Sequence, residues 1–201
     1  MDINTEYEYS IKVLVLGDSS VGKTNFIYRF LNDEFKGDQM STTGIDLNNN
    51  SQITINNKKF LLQLWDTAGQ EKFNSVTKSC FNKVQGFIVM FDLTKKVTFV
   101  NVKSWVSLIK EECGNHIPIL VVGNKNDLAN DRQIDEADIK QYTEGQKLKY
   151  IETSPKTGDN IKRAVTMICT EITESANDKD RIFSFSLDSS KSSKKRKGKC
   201  C

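Results

Sequence analysis

Apolar residues come in two rhythms along this chain. Short segments rich in apolar residues fall near 11–16, 60–65, 86–92 and 118–123, with shorter mixed ones near 52–56 and 149–152. Runs of that length, rich in Val, Ile, Leu and Phe, predict buried strands. Between them the apolar residues recur at helical spacing, which predicts helices near 22–31, 70–80, 97–112, 135–145 and 158–174. In the last of these, Ile161, Val165, Ile168 and Ile172 mark one face, a pattern of core packing rather than of a cofactor box. Strand and helix alternate, which is the signature of an open parallel sheet covered on both faces. Asn56-Asn57 predicts a tight turn between the second and third strands, so that pair is expected to be antiparallel. The expected fold is α/β, a three-layer arrangement around a six-stranded, mostly parallel sheet with one antiparallel edge strand. The run Asn48-Asn49-Asn50 reads as compositional bias, and the second strand is placed after it.

Chemistry enters at the strand ends. Gly17 to Thr24 reads GDSSVGKT directly after the apolar run Ile11, Val13, Leu14, Val15, Leu16. That is G-x-x-x-x-G-K-[ST] leaving a strand and opening a helix, the pattern of a P-loop NTPase. The Gly-rich turn turns backbone N–H groups toward phosphate oxygens, and the following helix adds its positive end. Lys23 can reach the outer phosphates, and the Thr24 hydroxyl can bind Mg²⁺. Leu61 to Glu71 is a second apolar strand ending in Asp66-Thr67-Ala68-Gly69-Gln70, where Asp66 can hold Mg²⁺ through water. Ile119 to Asp127 ends in Asn124-Lys125-Asn126-Asp127. A carboxylate such as Asp127 accepts two parallel hydrogen bonds from guanine N1–H and the 2-amino group, which adenine cannot offer. Glu152 to Asn160, ETSPKTGDN, forms a third strand-end loop.

With these motifs in order, about residues 9–175 and the extreme C-terminus resemble the Ras superfamily of small GTPases, and within it the Rab branch. STTGIDL at Ser41–Leu47, WDTAGQEKF at Trp65–Phe73, FDLT at Phe91–Thr94 and the ending Cys200-Cys201 carry the Rab likeness. The resemblance implies binding of GTP and GDP with Mg²⁺ and slow hydrolysis of GTP. It places Gly17, Asp18, Ser19, Ser20, Val21, Gly22, Lys23, Thr24, Asn25 and Gly69 around the phosphates. Asn124, Lys125, Asp127, Ser154, Lys156 and the ring of Phe35 belong around the base. Thr24, Thr42 and Asp66 make the metal shell, and Gln70 orients the attacking water. Residues 35–47 and 66–82 would order around the γ-phosphate and relax when it is lost.

Partners follow from the same resemblance. They are GTP-state effectors, an exchange factor, a GTPase activator, a GDP-dissociation inhibitor and a Rab escort protein, acting on a monomer in vesicle traffic. The effector surface is expected to include Ile45, Leu47, Trp65 and Phe81. The chain departs from the family where Leu47 replaces the usual aromatic, where Thr43 replaces an aliphatic residue, and in Cys80-Phe81-Asn82-Lys83-Val84. It is therefore read as a divergent Rab. The family's Ser-Ala-Lys, whose Ala N–H donates to guanine O6, is Ser154-Pro155-Lys156 here, and proline has no N–H to give. A GTP-binding membrane scaffold with negligible hydrolysis and fast exchange stays open as an alternative reading.

Charge separates the chain into two parts. Of 29 Lys and Arg residues, six lie in residues 191–201, leaving 23 against 26 acidic residues before the tail. An acidic domain argues against nucleic acid as a ligand, and the basic tail argues for an anionic surface. Residues 1–176 are expected to form the GTP-binding domain and 177–201 a flexible tail. The apolar island Ile182, Phe183, Phe185 and Leu187 reads either as sticky disorder or as a docking segment. By resemblance, Cys200 and Cys201 carry geranylgeranyl groups, which puts the protein on the cytoplasmic face of a membrane with a cytosolic pool. Cys80, Cys113 and Cys169 show no metal spacing and read as buried or half-buried thiols, and His116 reads as a surface residue.

Overall fold

A computed structural model describes residues 9–37, 45–67 and 79–175. Six strands form one sheet: β1 (Tyr9–Gly17), β2 (Ile45–Ile55), β3 (Lys58–Thr67), β4 (Gly86–Asp92), β5 (Ile119–Asn124) and β6 (Lys149–Thr153). Their spatial order is β2-β3-β1-β4-β5-β6. Only β2 and β3 pair antiparallel; β1 pairs parallel with β3 and β4, and β4, β5 and β6 continue parallel. Among the described residues, the α-helices are α1 (Lys23–Asn32), α2 (Lys96–Cys113), α3 (Glu136–Gly145) and α4 (Ile161–Ser175), with one 3-10 turn at Ala129–Asp131. The expected α/β architecture is the observed one. The expected helix near 70–80 falls almost wholly outside the described residues.

Strand alternation feeds two separate cores. Ile11, Val13 and Val15 of β1 join Ile88, Met90, Leu120 and Val122 under Phe26 and Ile27 of α1 and Val165, Ile168 and Ile172 of α4. Leu14 and Leu16 point the other way, with Phe87, Val89, Phe91 and Val121, against Val102, Trp105 and Ile109 of α2 and Ile139 of α3. Successive side chains of a strand face opposite sides, so a strand apolar at every position needs a helix layer on each side. On β4, Gly86 leaves room for the close approach of α4: a Cβ there would lie 2.7 Å from Ile172 Cδ1.

The β2–β3 hairpin turns at Asn56 and Asn57, with φ of 49° and 63°. Both residues are left-handed, as the tightest hairpin turns require. The strand before it is longer than its apolar run predicts. It starts at Ile45 and takes in the Asn run, with Asn49 opposite Leu64 and Asn50 opposite Gln63. Asn is depleted in strands, but edge pairing with β3 supplies the ladder that the side chains do not favour. A register shift between Asp46 and Asn49 absorbs the misfit.

Candidate nucleotide site

The carboxyl ends of β1, β3, β4, β5 and β6 lie along one edge; β1 ends in Gly17, and the others end in Thr67, Asp92, Asn124 and Thr153. In doubly wound sheets this edge, where the strand order reverses, is where ligands bind. Here β1 lies at the reversal, between β3 and β4.

The loop after β1 is shaped by two glycines that no other residue could replace. Gly17 has φ of 142°, and a Cβ on it would lie 2.2 Å from the Met90 carbonyl oxygen. Gly22 has φ of 97°, and its Cβ would lie 2.4 Å from Asn124 Nδ2. Between them Ser20 is also left-handed, at φ 62°. The side chain of Lys23 is buried, and its Nζ donates to the Gly17 and Asp18 carbonyl oxygens at 2.9 and 3.0 Å. Burial lowers its pKa to about 8, against the opposing fields of Asp66 and Asp18. A buried cation folded over loop carbonyls, at the N-terminus of α1, is chemistry suited to a polyphosphate. The Thr24 hydroxyl donates to Asp66 Oδ2 at 2.6 Å. This brings together two of the three expected metal ligands, and a hydroxyl with a buried carboxylate is an oxygen set that fits Mg²⁺.

The loops expected to read the base are tied to the loop after β1. Asn124 Nδ2 donates to the Val21 carbonyl at 2.7 Å, and Asn124 Oδ1 accepts from Thr153 Oγ1 at 3.1 Å. Lys125, left-handed at φ 69°, donates to the Ser20 carbonyl at 3.1 Å. Asp127 Oδ1 accepts from the Ser154 hydroxyl at 2.6 Å, and Lys156 Nζ lies 3.9 Å from Oδ2. Ser154 and Pro155 are buried, and the Gly158 N–H closes their turn onto the Ser154 carbonyl at 2.8 Å. Phe35 is 42% exposed, so it is not a core aromatic.

The structure thus gathers Gly17, Asp18, Ser20, Val21, Gly22, Lys23, Thr24, Asp66, Asn124, Lys125, Asp127, Ser154 and Lys156 along one edge. Thr42, Gly69, Gln70, Cys200, Cys201 and the tail island lie outside the described residues, as do the side chains of Ile45 and Leu47. Trp65 and Phe81, expected on a partner-facing surface, are 6% and 1% exposed. Phe81 packs edge-on against Phe87 with centroids 5.1 Å apart, and Lys12 Nζ lies 5.9 Å from the Trp65 ring centre. Both rings belong to the core that also holds Leu14 and Leu16. Cys80 and Cys169 are buried, Cys113 is half-buried and His116 is exposed.

Several site residues carry no motif of their own. Asp92, at the end of β4, pairs with Lys125 at 2.7 Å. Asn101 and Trp105 of α2 both donate to Asp18. Arg132 grips Glu152 through two hydrogen bonds, and Tyr150 adds a third. Asp92 and Glu152 fall within quoted strand-end segments, but nothing local in the sequence pointed to Asn101, Trp105, Arg132 or Tyr150.

A P-loop, a carboxylate suited to guanine and a six-stranded sheet of this order define a GTPase fold. The family described as the Ras family matches residues 12–174. Rab-27B of Bos taurus is 36% identical over 95% of this chain and 97% of its own length. Rab-11.1 of Caenorhabditis elegans is 37% identical over 87% of this chain and 82% of its own. Rab-1A of Dictyostelium discoideum is 37% identical over 85% and 84%. The chain belongs to the Ras superfamily of GTPases, in its Rab branch.

Proposed function

We propose that this GTPase is a nucleotide-read switch in vesicle traffic, recruiting effectors to a membrane in its GTP state and releasing them after hydrolysis. The observation that carries the proposal is the joining of base and phosphate sites. Asn124 bonds Val21 and Lys125 bonds Ser20, so one polar framework holds both ends of a guanine nucleotide. GTP supplies the γ-phosphoryl group, and Mg²⁺ supplies the charge that neutralises it.

The chain's own residues then position and select. Asp127 accepts from the guanine edge, with Ser154 fixing the carboxylate. Lys23 and the N–H groups of residues 17–24 bind phosphate oxygens, while Thr24, Asp66 and Thr42 hold the metal. Gln70 orients the attacking water, and Gly69 senses the γ-phosphate. Partners that bind only the ordered form of residues 35–47 and 66–82 read the state. An exchange factor, a GTPase activator, a GDP-dissociation inhibitor and an escort protein act on the monomer. Cys200 and Cys201, geranylgeranylated, anchor it to the cytoplasmic face, with a cytosolic pool. Among the described residues no helix is long and apolar enough to cross a membrane.

The test is competition against labelled GDP followed by single-turnover hydrolysis. GTP and GDP should displace the label and ATP should not. Gln70→Leu, assayed without any activator, should retain GTP binding and lose most hydrolysis. Equal displacement by ATP, or parental hydrolysis in Gln70→Leu, would overturn the guanine assignment or the role of Gln70 respectively.

A further inference from the structure

Asp18, the second residue of the loop after β1, has both carboxylate oxygens engaged by α2. Asn101 Nδ2 donates to Oδ2 at 2.5 Å, and Trp105 Nε1 donates to Oδ1 at 3.2 Å. The two donors are four residues apart on α2, so one stripe of the helix presents both. Trp105 is among the largest fully buried side chains and packs in the core that contains Leu14 and Leu16 of β1. Its indole N–H is therefore fixed by the core and cannot follow the loop. On the main-chain side, the Asp18 carbonyl accepts from Lys23 Nζ at 3.0 Å. Asp18 is thus held from two directions, by Lys23 through its backbone and by α2 through its side chain.

A carboxylate on a loop that must approach phosphates is a like charge, and where it points matters. Two N–H donors direct it onto α2 and disperse its charge. We propose that Asn101 and Trp105 are positioning residues for nucleotide retention: they hold the Asp18 carboxylate on α2 and so keep the phosphate loop in its binding form. This rests on the guanine-nucleotide reading given above. The step governed is GDP release, because the loop must open or tolerate repulsion for the phosphates to leave.

The test uses the full chain loaded with fluorescent GDP, chased with unlabelled GDP at saturating Mg²⁺. Asn101→Ala removes one donor at a half-buried position and should speed release about threefold to tenfold. Asn101→Asp sets a second carboxylate against the first and should speed release more than Asn101→Ala does. Asp18→Asn combined with Asn101→Asp exchanges donor and acceptor and should return the rate to within about twofold of the parent. Trp105→Phe keeps an aromatic ring, removes the N–H and should also speed release. If Trp105→Phe does not fold, the three Asn101 variants carry the test alone. A parental rate in Asn101→Ala overturns the proposal. So does equal acceleration by Asn101→Ala and Asn101→Asp without rescue by the exchanged pair, since packing of α2 would then account for the effect. A parent that does not retain GDP in preference to ATP would instead overturn the nucleotide reading, whatever the ratios among variants.

Discussion

Lys125 spans the ends of two neighbouring strands to reach Asp92, its Nζ 2.7 Å from the carboxylate. Burial pushes the Asp92 carboxyl up, but hydrogen bonds from Lys125 and Thr94 outweigh it and hold it below its ordinary value. The same ammonium donates to the Ser20 carbonyl at 3.1 Å. A single cation thus links β4, the base loop and the phosphate loop.

Removing the anion should loosen all three. Asp92→Ala leaves Lys125 without its charged partner, and a hydrogen bond between charged groups contributes about 1.5–3 kcal/mol. GDP release is expected to rise about tenfold or more, with Asp92→Asn intermediate. Stopped-flow release of fluorescent GDP measures it. An unchanged rate in Asp92→Ala would mean that Ser20 alone suffices to hold Lys125.

Base choice should follow Asp127. Asp127→Asn turns an acceptor-only group into one that can also donate. Preference is expected to move from guanine toward xanthine nucleotides, read by competition with GDP and XDP. Retained preference for GDP would show that another group reads the N1 edge.

Much of this site is legible in the sequence because its motifs sit where apolar runs stop. Gly17–Thr24 follows β1 and Asn124–Asp127 follows β5, so periodicity located the chemistry. The first half of β2 was not legible, because Asn48, Asn49 and Asn50 oppose the strand that pairing with β3 imposes. Asn101 and Trp105 were hidden for a different reason. Their partner Asp18 lies more than eighty residues away, and no local pattern encodes such a meeting. The burial of Trp65 and Phe81 was not legible either, because an aromatic residue looks the same in a sequence whether it packs inward or outward.

Glu152 should make stability depend on acid. Burial pushes its carboxyl up, but Arg132 and Tyr150 outweigh this and leave it below the ordinary value of 4.5. A carboxyl depressed on folding contributes stability above 4.5 and loses it as pH falls through the lower folded value. Glu152→Gln should cost about 1–3 kcal/mol at pH 7 and flatten the decline below pH 4.5. Urea unfolding at pH 7 and at pH 3.5 would check both. A parallel pair of curves for the two proteins would remove Glu152 from the acid response.

Pro155 should make GDP leave quickly. It follows Ser154, whose hydroxyl donates to Asp127, the carboxylate proposed to read the base, and it has no N–H to offer. Pro155→Ala restores a donor, and one hydrogen bond of about 0.5–1.5 kcal/mol corresponds to release about threefold to tenfold slower. Dissociation of fluorescent GDP at saturating Mg²⁺ decides it, and equal or faster release from Pro155→Ala would clear Pro155 of this role.

Membrane attachment should need both terminal cysteines. One lipid chain binds only marginally, with a constant on the order of 10⁴ M⁻¹, so stable anchoring takes two signals. Cys200→Ser with Cys201→Ser is expected to move the protein from the membrane pellet to the supernatant. Continued sedimentation would point to the basic run or the apolar island as the anchor.

The sheet that separates the two cores has a consequence for how this chain tolerates change. Ile168 and Val165 belong to one core, Val106 and Ile109 to the other. Substitutions without shared neighbours add, whereas those in contact couple. Two mutational ledgers therefore run side by side, and drift on the α4 face leaves the α2 face unencumbered. The strand-end edge, where polar bonds from both halves converge on Gly17–Thr24, is where the ledgers merge and where a variant on either face is first felt as a change in ligand.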